Sequence, residues 1–248
     1  MARRKSLAFL DVGQGDCFVA DTKSGAIIFD GGSSSEDQVG RYRILPYMKY
    51  LGYQKIQIAV ISHMDIDHYS GIKELLEMGK IKYLGLPEIP KDETMKKIIG
   101  IAKKRGTTIF YLSRGRQITT KDGSLKVLHP QKNSQMEKNA ASLVMQGKIL
   151  GYRVLLTGDV EKEGEEELLL EELERADILK AAHHGSKNST SNEFLQKVQP
   201  KQTVISCGKQ NRYGHPHLET IHRLQTYHTK IYRTDRSGAI IFFKRRDG

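Results

Sequence analysis

Tryptophan is absent from the 248 residues and aromatic side chains make up only 7% of them, which argues against a broad platform for stacking nucleic-acid bases. Cysteine occurs twice, at Cys17 and Cys207, far apart in separate apolar runs, so neither a disulfide framework nor a zinc knuckle is expected. Two small core thiols suit a reducing compartment, and a cytoplasmic location is the expectation. No apolar stretch approaches the roughly 20 residues that span a bilayer, so no membrane partner is expected. The opening Met1-Ala2-Arg3-Arg4-Lys5 has the charged head of a secretion signal, but Asp11 and Asp16 interrupt the apolar run behind it. Low-complexity linkers and short repeats are also missing, which favours one domain over residues 1–248. Nothing in the pattern speaks to oligomeric state. The net charge of +11 and a pI near 9.5 favour an anionic partner, nucleic acid being the commonest for a basic protein.

Metal-binding side chains, by contrast, are concentrated in one place. Ser62-His63-Met64-Asp65-Ile66-Asp67-His68 packs four such groups into six residues, directly after the apolar run Ile56 to Ile61. That run reads as a buried strand and the segment from Tyr69 onward as a helix, so the four groups fall on a strand-to-helix loop. Side chains two apart on an extended segment share a direction, so His63 and Asp65 can share one ion while the turn aims Asp67 and His68 elsewhere. Capping the helix with Asp67 or Ser70 needs one such residue, not four.

The remaining pattern alternates. Strands are expected at Leu7 to Leu10, Cys17 to Ala20 and Ala26 to Phe29, separated by glycine turns, and then a helix over Arg43 to Gly52. Beyond the ligand loop come strand Lys82 to Leu86, helix Glu93 to Lys104 and strand Thr108 to Leu112. A second meander, Leu125 to Leu128, Leu143 to Gln146 and Arg153 to Thr157, precedes Gly158-Asp159 and a glutamate-rich helix from Glu161 to about Glu174. Strand Ile178 to Ala182, helix Asn192 to Val198, strand Thr203 to Cys207, a helix ending near Tyr227, and strands Lys230 to Tyr232 and Ala239 to Phe243 complete the chain. Each half runs strands first and then alternates strand with helix, which implies a layered α/β protein with internal pseudo-symmetry.

Six short motifs occur in a telling order: Asp11-Val12-Gly13-Gln14-Gly15-Asp16, Asp30-Gly31-Gly32, the loop from Ser62 to His68, Leu155-Leu156-Thr157-Gly158-Asp159, His183-His184-Gly185-Ser186 and Tyr213-Gly214-His215-Pro216. Together they resemble the metallo-β-lactamase superfamily and, within it, the hydrolase domain of ComEC-type competence DNA-uptake proteins. The resemblance spans nearly the whole chain and implies a four-layer αββα sandwich with two metal ions between loops of the two halves. Carried over residue by residue, it makes His63 and Asp65 ligands of one metal and Asp67 and His68 ligands of the other. Asp159 would bridge the two and His184 would complete the second. His183 would be a further ligand, a donor behind one, or a catalytic group beside Asp67. Asp30, at a strand end, would buttress the metal loop or simply make a turn. Two such ions, about 3.5 to 4 Å apart, lower the pKa of bound water and clamp the attacked group.

His215 lies on a strand-to-helix loop, where it could bind a substrate phosphate, protonate the leaving oxygen, or pack beside Pro216. Ser186, Lys187 and Asn188, together with Arg212 and Tyr213, flank these loops and are candidate substrate contacts. Covalent catalysis by Ser186 is disfavoured, since no Gly-Xaa-Ser-Xaa-Gly elbow surrounds it. Many superfamily members carry histidine where this chain has Asp65, and another where it offers Asn139-Ala140-Ala141-Ser142. Asn139 is then a weak ligand or a turn residue, and an oxygen-rich site leaves Zn2+ and Mn2+ both open. The leading function is a metal-dependent phosphodiesterase or nuclease acting on DNA. A small-molecule ester, lactone or phosphodiester hydrolase is the alternative, and a non-catalytic nucleic-acid-binding module ranks last because the ligand set is intact.

Overall fold

Two seven-stranded sheets form the centre of the computed structural model, which describes residues 4–137 and 139–245. The first contains β1 (Ser6–Phe9), β2 (Phe18–Thr22), β3 (Gly25–Phe29), β4 (Ile56–Val60), β5 (Ile81–Pro87) and β6 (Thr108–Leu112). The second contains β7 (Gln117–Thr120), β8 (Gly123–His129), β9 (Val144–Ile149), β10 (Tyr152–Leu156), β11 (Ile178–Lys180), β12 (Gln202–Ile205) and β13 (Lys230–Arg233). The chain then returns, and β14 (Ile240–Phe243) pairs antiparallel with β1 at the edge of the first sheet. Strand orders β14-β1-β2-β3-β4-β5-β6 and β7-β8-β9-β10-β11-β12-β13 correspond position for position. In both, antiparallel pairing gives way at the fourth strand to parallel pairing, at β3 with β4 and at β10 with β11. The expected pseudo-symmetric sandwich is therefore the observed fold.

Strict alternation builds its layers, because successive side chains of a strand face opposite ways. Leu7, Phe9, Phe18, Phe29 and Val60 point between the sheets and meet Met145, Val154, Leu156 and Ile178. Their neighbours Ala8, Val19, Ile28 and Ala59 face outward, against helices α1 (Leu45–Tyr50), α2 (Ile66–Glu77) and α3 (Glu93–Lys104) through Met48, Ile72, Leu75, Met95 and Ile98. On the other side Val144, Leu155, Leu179 and Ile205 meet α4 (Lys162–Leu169), α5 (Asn192–Val198) and α6 (Leu218–Thr226) through Leu168, Phe194, Val198 and Leu224. Each fully buried valine, leucine, isoleucine, methionine or phenylalanine among them contributes roughly 1.5–3 kcal/mol. A single-turn helix α7 (Thr234–Ser237) leads into β14.

Three elements depart from the sequence pattern. Helix α2 starts at Ile66 and not at Tyr69, because the extended Asp65 (φ −100°, ψ 147°) takes the N-cap and its carbonyl accepts from the His68 and Tyr69 N–H groups. Asp67 and His68 thus lie in the first turn of a helix, not on a loop. Helix α4 ends at Leu169, well short of Glu174, since the Gln146 carboxamide clasps the Glu174 main chain, donating to its carbonyl at 2.6 Å and accepting its N–H at 3.1 Å. The edge strand β7 escaped notice because only Ile118 of its four residues is buried.

Candidate metal centre

Parallel strands all deliver their C-terminal ends to one rim of an α/β layer, and loops there can meet. Here β4 runs into Ser62-His63, β10 into Gly158-Asp159, β11 into the 3-10 turn Ala182–Gly185, and β12 into the segment from Ser206 to His217. Glycine lets the backbones close. A Cβ on Gly32 would lie 2.5 Å from the Ile66 carbonyl oxygen, and one on Gly15 2.7 Å from that of Asp67. Through this approach the Asp16 N–H donates to the Asp67 carbonyl at 3.0 Å and the Gly31 N–H to that of His68 at 2.8 Å, pinning the first turn of α2.

Three buried imidazoles converge, each with Nδ1 already engaged. His68 Nδ1 lies 2.9 Å from Asp30 Oδ2, His184 Nδ1 donates to the Ser206 carbonyl at 3.0 Å, and His63 Nδ1 lies 3.0 Å from Ser62 Oγ. Asp30, at φ 57°, also accepts from the Ser62 N–H (2.7 Å) and hydroxyl (2.8 Å), and so ties the end of β3 to the loop after β4. The three Nε2 atoms are buried and make no hydrogen bond. Asp159 Oδ2 lies 3.1 Å from His68 Nε2 and 3.4 Å from His184 Nε2, which is itself 3.3 Å from Asp67 Oδ2, while His63 Nε2 is 3.7 Å from Asp65 Oδ2. Buried ring nitrogens left without a hydrogen-bond partner, and polar atoms spaced as around an ion with bonds of about 2.0–2.2 Å, fit a metal. The structure gathers His63, His68 and Asp159 into one set and Asp67, His68 and His184 into another, so His68 belongs to both.

Sequence reasoning overlooked a buried ionic layer behind these groups. Lys180 Nζ pairs with Asp16 Oδ2, lies 3.4 Å from Asp159 Oδ1 and donates to the Gly158 carbonyl at 2.9 Å. Burial opposes the Asp16 charge, but Lys180 and His184 overcome it and hold the carboxyl down to about 2. The available signal was a lysine inside Ile178-Leu179-Lys180-Ala181, a strand flanked by parallel neighbours where only a paired charge survives.

Two consecutive residues without glycine's freedom, His183 (φ 47°) and His184 (φ 52°), occupy the left-handed region, at roughly 1–3 kcal/mol each. The turn is held by Ala182 N–H to Thr190 Oγ1 (3.2 Å), Ser186 N–H to the His183 carbonyl (2.8 Å) and His217 N–H to the Gly185 carbonyl (3.0 Å). It sends the two rings apart: His184 joins the cluster with Asp67, His68 and Asp159, and His183 places Nδ1 2.9 Å from Glu161 Oε1 and Nε2 3.8 Å from Asp159 Oδ2. A cavity of about 250 Å³ opens over the centre, walled by Gln14, Asp65, Asp67, Asp159, His183, His184, Tyr213 and His215. Tyr213 stacks on His215 (5.7 Å) and the Arg212 guanidinium lies 4.9 Å from the Tyr213 ring centre. Burial and the nearby His184 and His183 push His215 down to about 4.

Other candidates are set apart from this cavity. Ser186 Oγ accepts the Asn188 N–H (3.3 Å) within its own loop, and Lys187 and Asn188 line a neighbouring groove with Glu165 and Arg223. Asn139 accepts the Ser142 N–H (3.0 Å) through its carbonyl, a turn contact, and lines a larger acidic cavity of about 670 Å³ with Asp65, Glu137, Glu161 and Glu163.

Metal uptake should depend on pH. Burial opposes charge on His68 and His184, but Asp159 with Asp30 holds the first well above its usual pKa, and Asp159 with Asp16 does the same for the second. Both are therefore protonated in the metal-free protein at neutral pH, and a metal must displace the protons. Affinity is expected to rise steadily from about pH 6 to pH 8, with proton release seen as buffer-dependent heat in calorimetry. Uptake indifferent to pH would show that these imidazoles are not ligands.

The family model of the metallo-beta-lactamase superfamily matches residues 10–209. Among curated proteins, ComE operon protein 3 of Bacillus subtilis is 37% identical over 96% of this chain and 33% of its own length. Competence protein ComA of Neisseria gonorrhoeae is 30% identical over 96% of the chain and 32% of its own length. The chain thus spans about a third of these relatives. Among solved structures, the metallo-beta-lactamase fold protein YhfI of Bacillus subtilis superposes with a TM-score of 0.62 at 13% identity, over 96% of this chain and 99% of its own. Human tRNase Z, short form, superposes with a TM-score of 0.55 at 13% identity, over 96% of this chain and all of its own. At such identities the likeness concerns the fold.

Proposed function

The chain belongs to the metallo-beta-lactamase superfamily of metal-dependent hydrolases, and from that premise we propose that it is a phosphodiesterase acting on DNA, that is, a nuclease. The observation that carries this reading is the convergence of three unpartnered imidazole Nε2 atoms on Asp159 and Asp67 beneath a small polar cavity. His63, Asp65, His68, Asp67, His184 and Asp159 would hold two divalent ions. When bound, such ions would supply an activated water and Lewis-acid polarisation of the phosphoryl oxygens. Asp30, Ser62 and the Ser206 carbonyl fix the imidazole tautomers, and Lys180 fixes the Asp159 carboxylate. Glu161 holds His183 through Nδ1, at 2.9 Å, and so orients the ring with Nε2 towards the centre, where it can serve the leaving oxygen. His215, held neutral, serves as a hydrogen-bond partner. The net charge of +11, the exposed Arg212 beside the cavity and the competence proteins among the relatives support a polyanionic substrate.

One feature favours a second reading, hydrolysis of a small uncharged or cationic ester, because the neighbouring 670 Å³ cavity is lined by four carboxylates. Metal-loaded protein should be offered linear and circular single- and double-stranded DNA, RNA, bis(p-nitrophenyl) phosphate and a lactone, with Mn2+ and with Zn2+. Cleavage of DNA is expected, with affinity falling steeply between about 50 and 200 mM salt. Turnover of the lactone alone, insensitive to salt, would replace the nuclease reading with the second one.

A further inference from the structure

Gln14 belongs to none of the expected ligand sets, yet its side chain stands in the wall of the 250 Å³ cavity and is only 1% exposed. Its position is over-determined. The Gln14 N–H donates to Ser35 Oγ at 2.8 Å and its carbonyl accepts the Ser34 N–H at 2.8 Å. From the other half of the molecule, Gly208 N–H donates to Gln14 Oε1 at 3.0 Å, and Ser206 Oγ donates to the Gly15 carbonyl at 2.7 Å. Gly208 is required there, since a Cβ would fall 2.7 Å from the Gln14 nitrogen. The Gly208 contact also settles which way the carboxamide faces: the oxygen is bound to an N–H, so the NH2 group points away from it. That Nε2 is buried and has no hydrogen-bond partner. His215 Nδ1, in the same cavity wall, is likewise buried and unpartnered.

Buried donors are paired in nearly all folded proteins, and an unpaired one held rigidly in a reactive cavity marks a place for a ligand acceptor. We propose that Gln14 is a catalytic residue that binds substrate, its Nε2–H groups donating to a non-bridging oxygen of the scissile phosphodiester. The inference rests on the phosphodiesterase reading. Charge spreads over the non-bridging oxygens as phosphoryl transfer proceeds, and a donor fixed beforehand needs no reorganisation when that charge develops. An amide suits the place better than lysine or arginine, because it brings no positive charge to compete with cations beside Asp67 and Asp159.

Two substitutions separate this role from a merely structural one. Gln14→Glu keeps an oxygen for the Gly208 N–H and replaces the donor by a second acceptor; Gln14→Met removes both at similar volume. With bis(p-nitrophenyl) phosphate, Gln14→Glu is expected to lower kcat/KM about a hundredfold and Gln14→Met at least tenfold. Bound metal stays at the wild-type level in both variants; Tm is compared in Gln14→Met, because Gln14→Glu buries a carboxylate and loses stability on that account alone. Calorimetric binding of thymidine 5′-monophosphate should weaken about tenfold in both. Wild-type rates in Gln14→Glu overturn the proposal, as does a loss of metal in both variants, or of Tm in Gln14→Met, that matches the loss of rate. If the wild type itself cleaves no phosphodiester, it is the broader reading that fails. Thymidine monophosphate binding, if then unchanged in Gln14→Glu, sinks the role of Gln14 independently.

Discussion

Replacing Asp159 by asparagine is expected to abolish hydrolysis, by a factor of about a thousand or more, and to lower the amount of metal the protein retains. Asp159 Oδ2 lies within 4 Å of ring nitrogens of His68, His184 and His183 together. Asparagine keeps the shape but removes the negative charge that binds cations, and it turns half of the group into a donor facing lone pairs. A thousandfold loss corresponds to about 4 kcal/mol of transition-state stabilisation. The fold should persist, because Asp159 follows β10 on a loop and Lys180 retains Asp16 as its partner. Metal content by elemental analysis, with phosphodiesterase rate, is the measurement. A variant that keeps wild-type activity would show that no ion is held through Asp159.

Lys180→Met should cost the metal-free protein about 3–5 kcal/mol of stability at neutral pH, the penalty for breaking a buried ion pair and leaving its partners charged. Lys180 is 4% exposed and faces Asp16 and Asp159, at 4% and 2%. The pH dependence carries a sharper signature. In the wild type the Asp16 pKa is depressed, to about 2, against the desolvation that burial imposes and owing to Lys180 and His184. A depressed folded pKa means stability present above the unfolded carboxylate value and lost as pH falls from about 4 towards 2. Without Lys180, burial is opposed by less, the carboxyl pKa rises, and acidification towards pH 4 relieves the unpaired charge. Urea unfolding in the presence of chelator should therefore show the wild type losing stability on acidification and the variant recovering part of its deficit. Equal stability at pH 7 would mean that Lys180 is dispensable to the charge balance behind the centre.

Much of this protein was determined by short-range patterns. Alternating apolar residues set the strands and the two faces of each sheet, since a period of two cannot serve a helix. Four side chains of metal-binding type between Ser62 and His68, with Asp159 and His184 in their motifs, pointed from the sequence to the place where His63, His68, Asp67, Asp159 and His184 converge. Only the tertiary structure decided how these pieces face one another. Asp65 capping α2 carried Asp67 and His68 into a helical turn, which placed His68 between the two ligand sets. Ser186, Lys187 and Asn188 adjoin His184 in sequence but lie on another groove, whereas Gln14, nearly two hundred residues from Gly208, is fastened to it inside the cavity. The left-handed turn at His183 and His184 and the Asp16–Lys180 pair escape local reading for one reason. Backbone strain and a buried charge are tolerated only when distant segments supply the compensating contacts, and no window of sequence contains both sides of such an exchange.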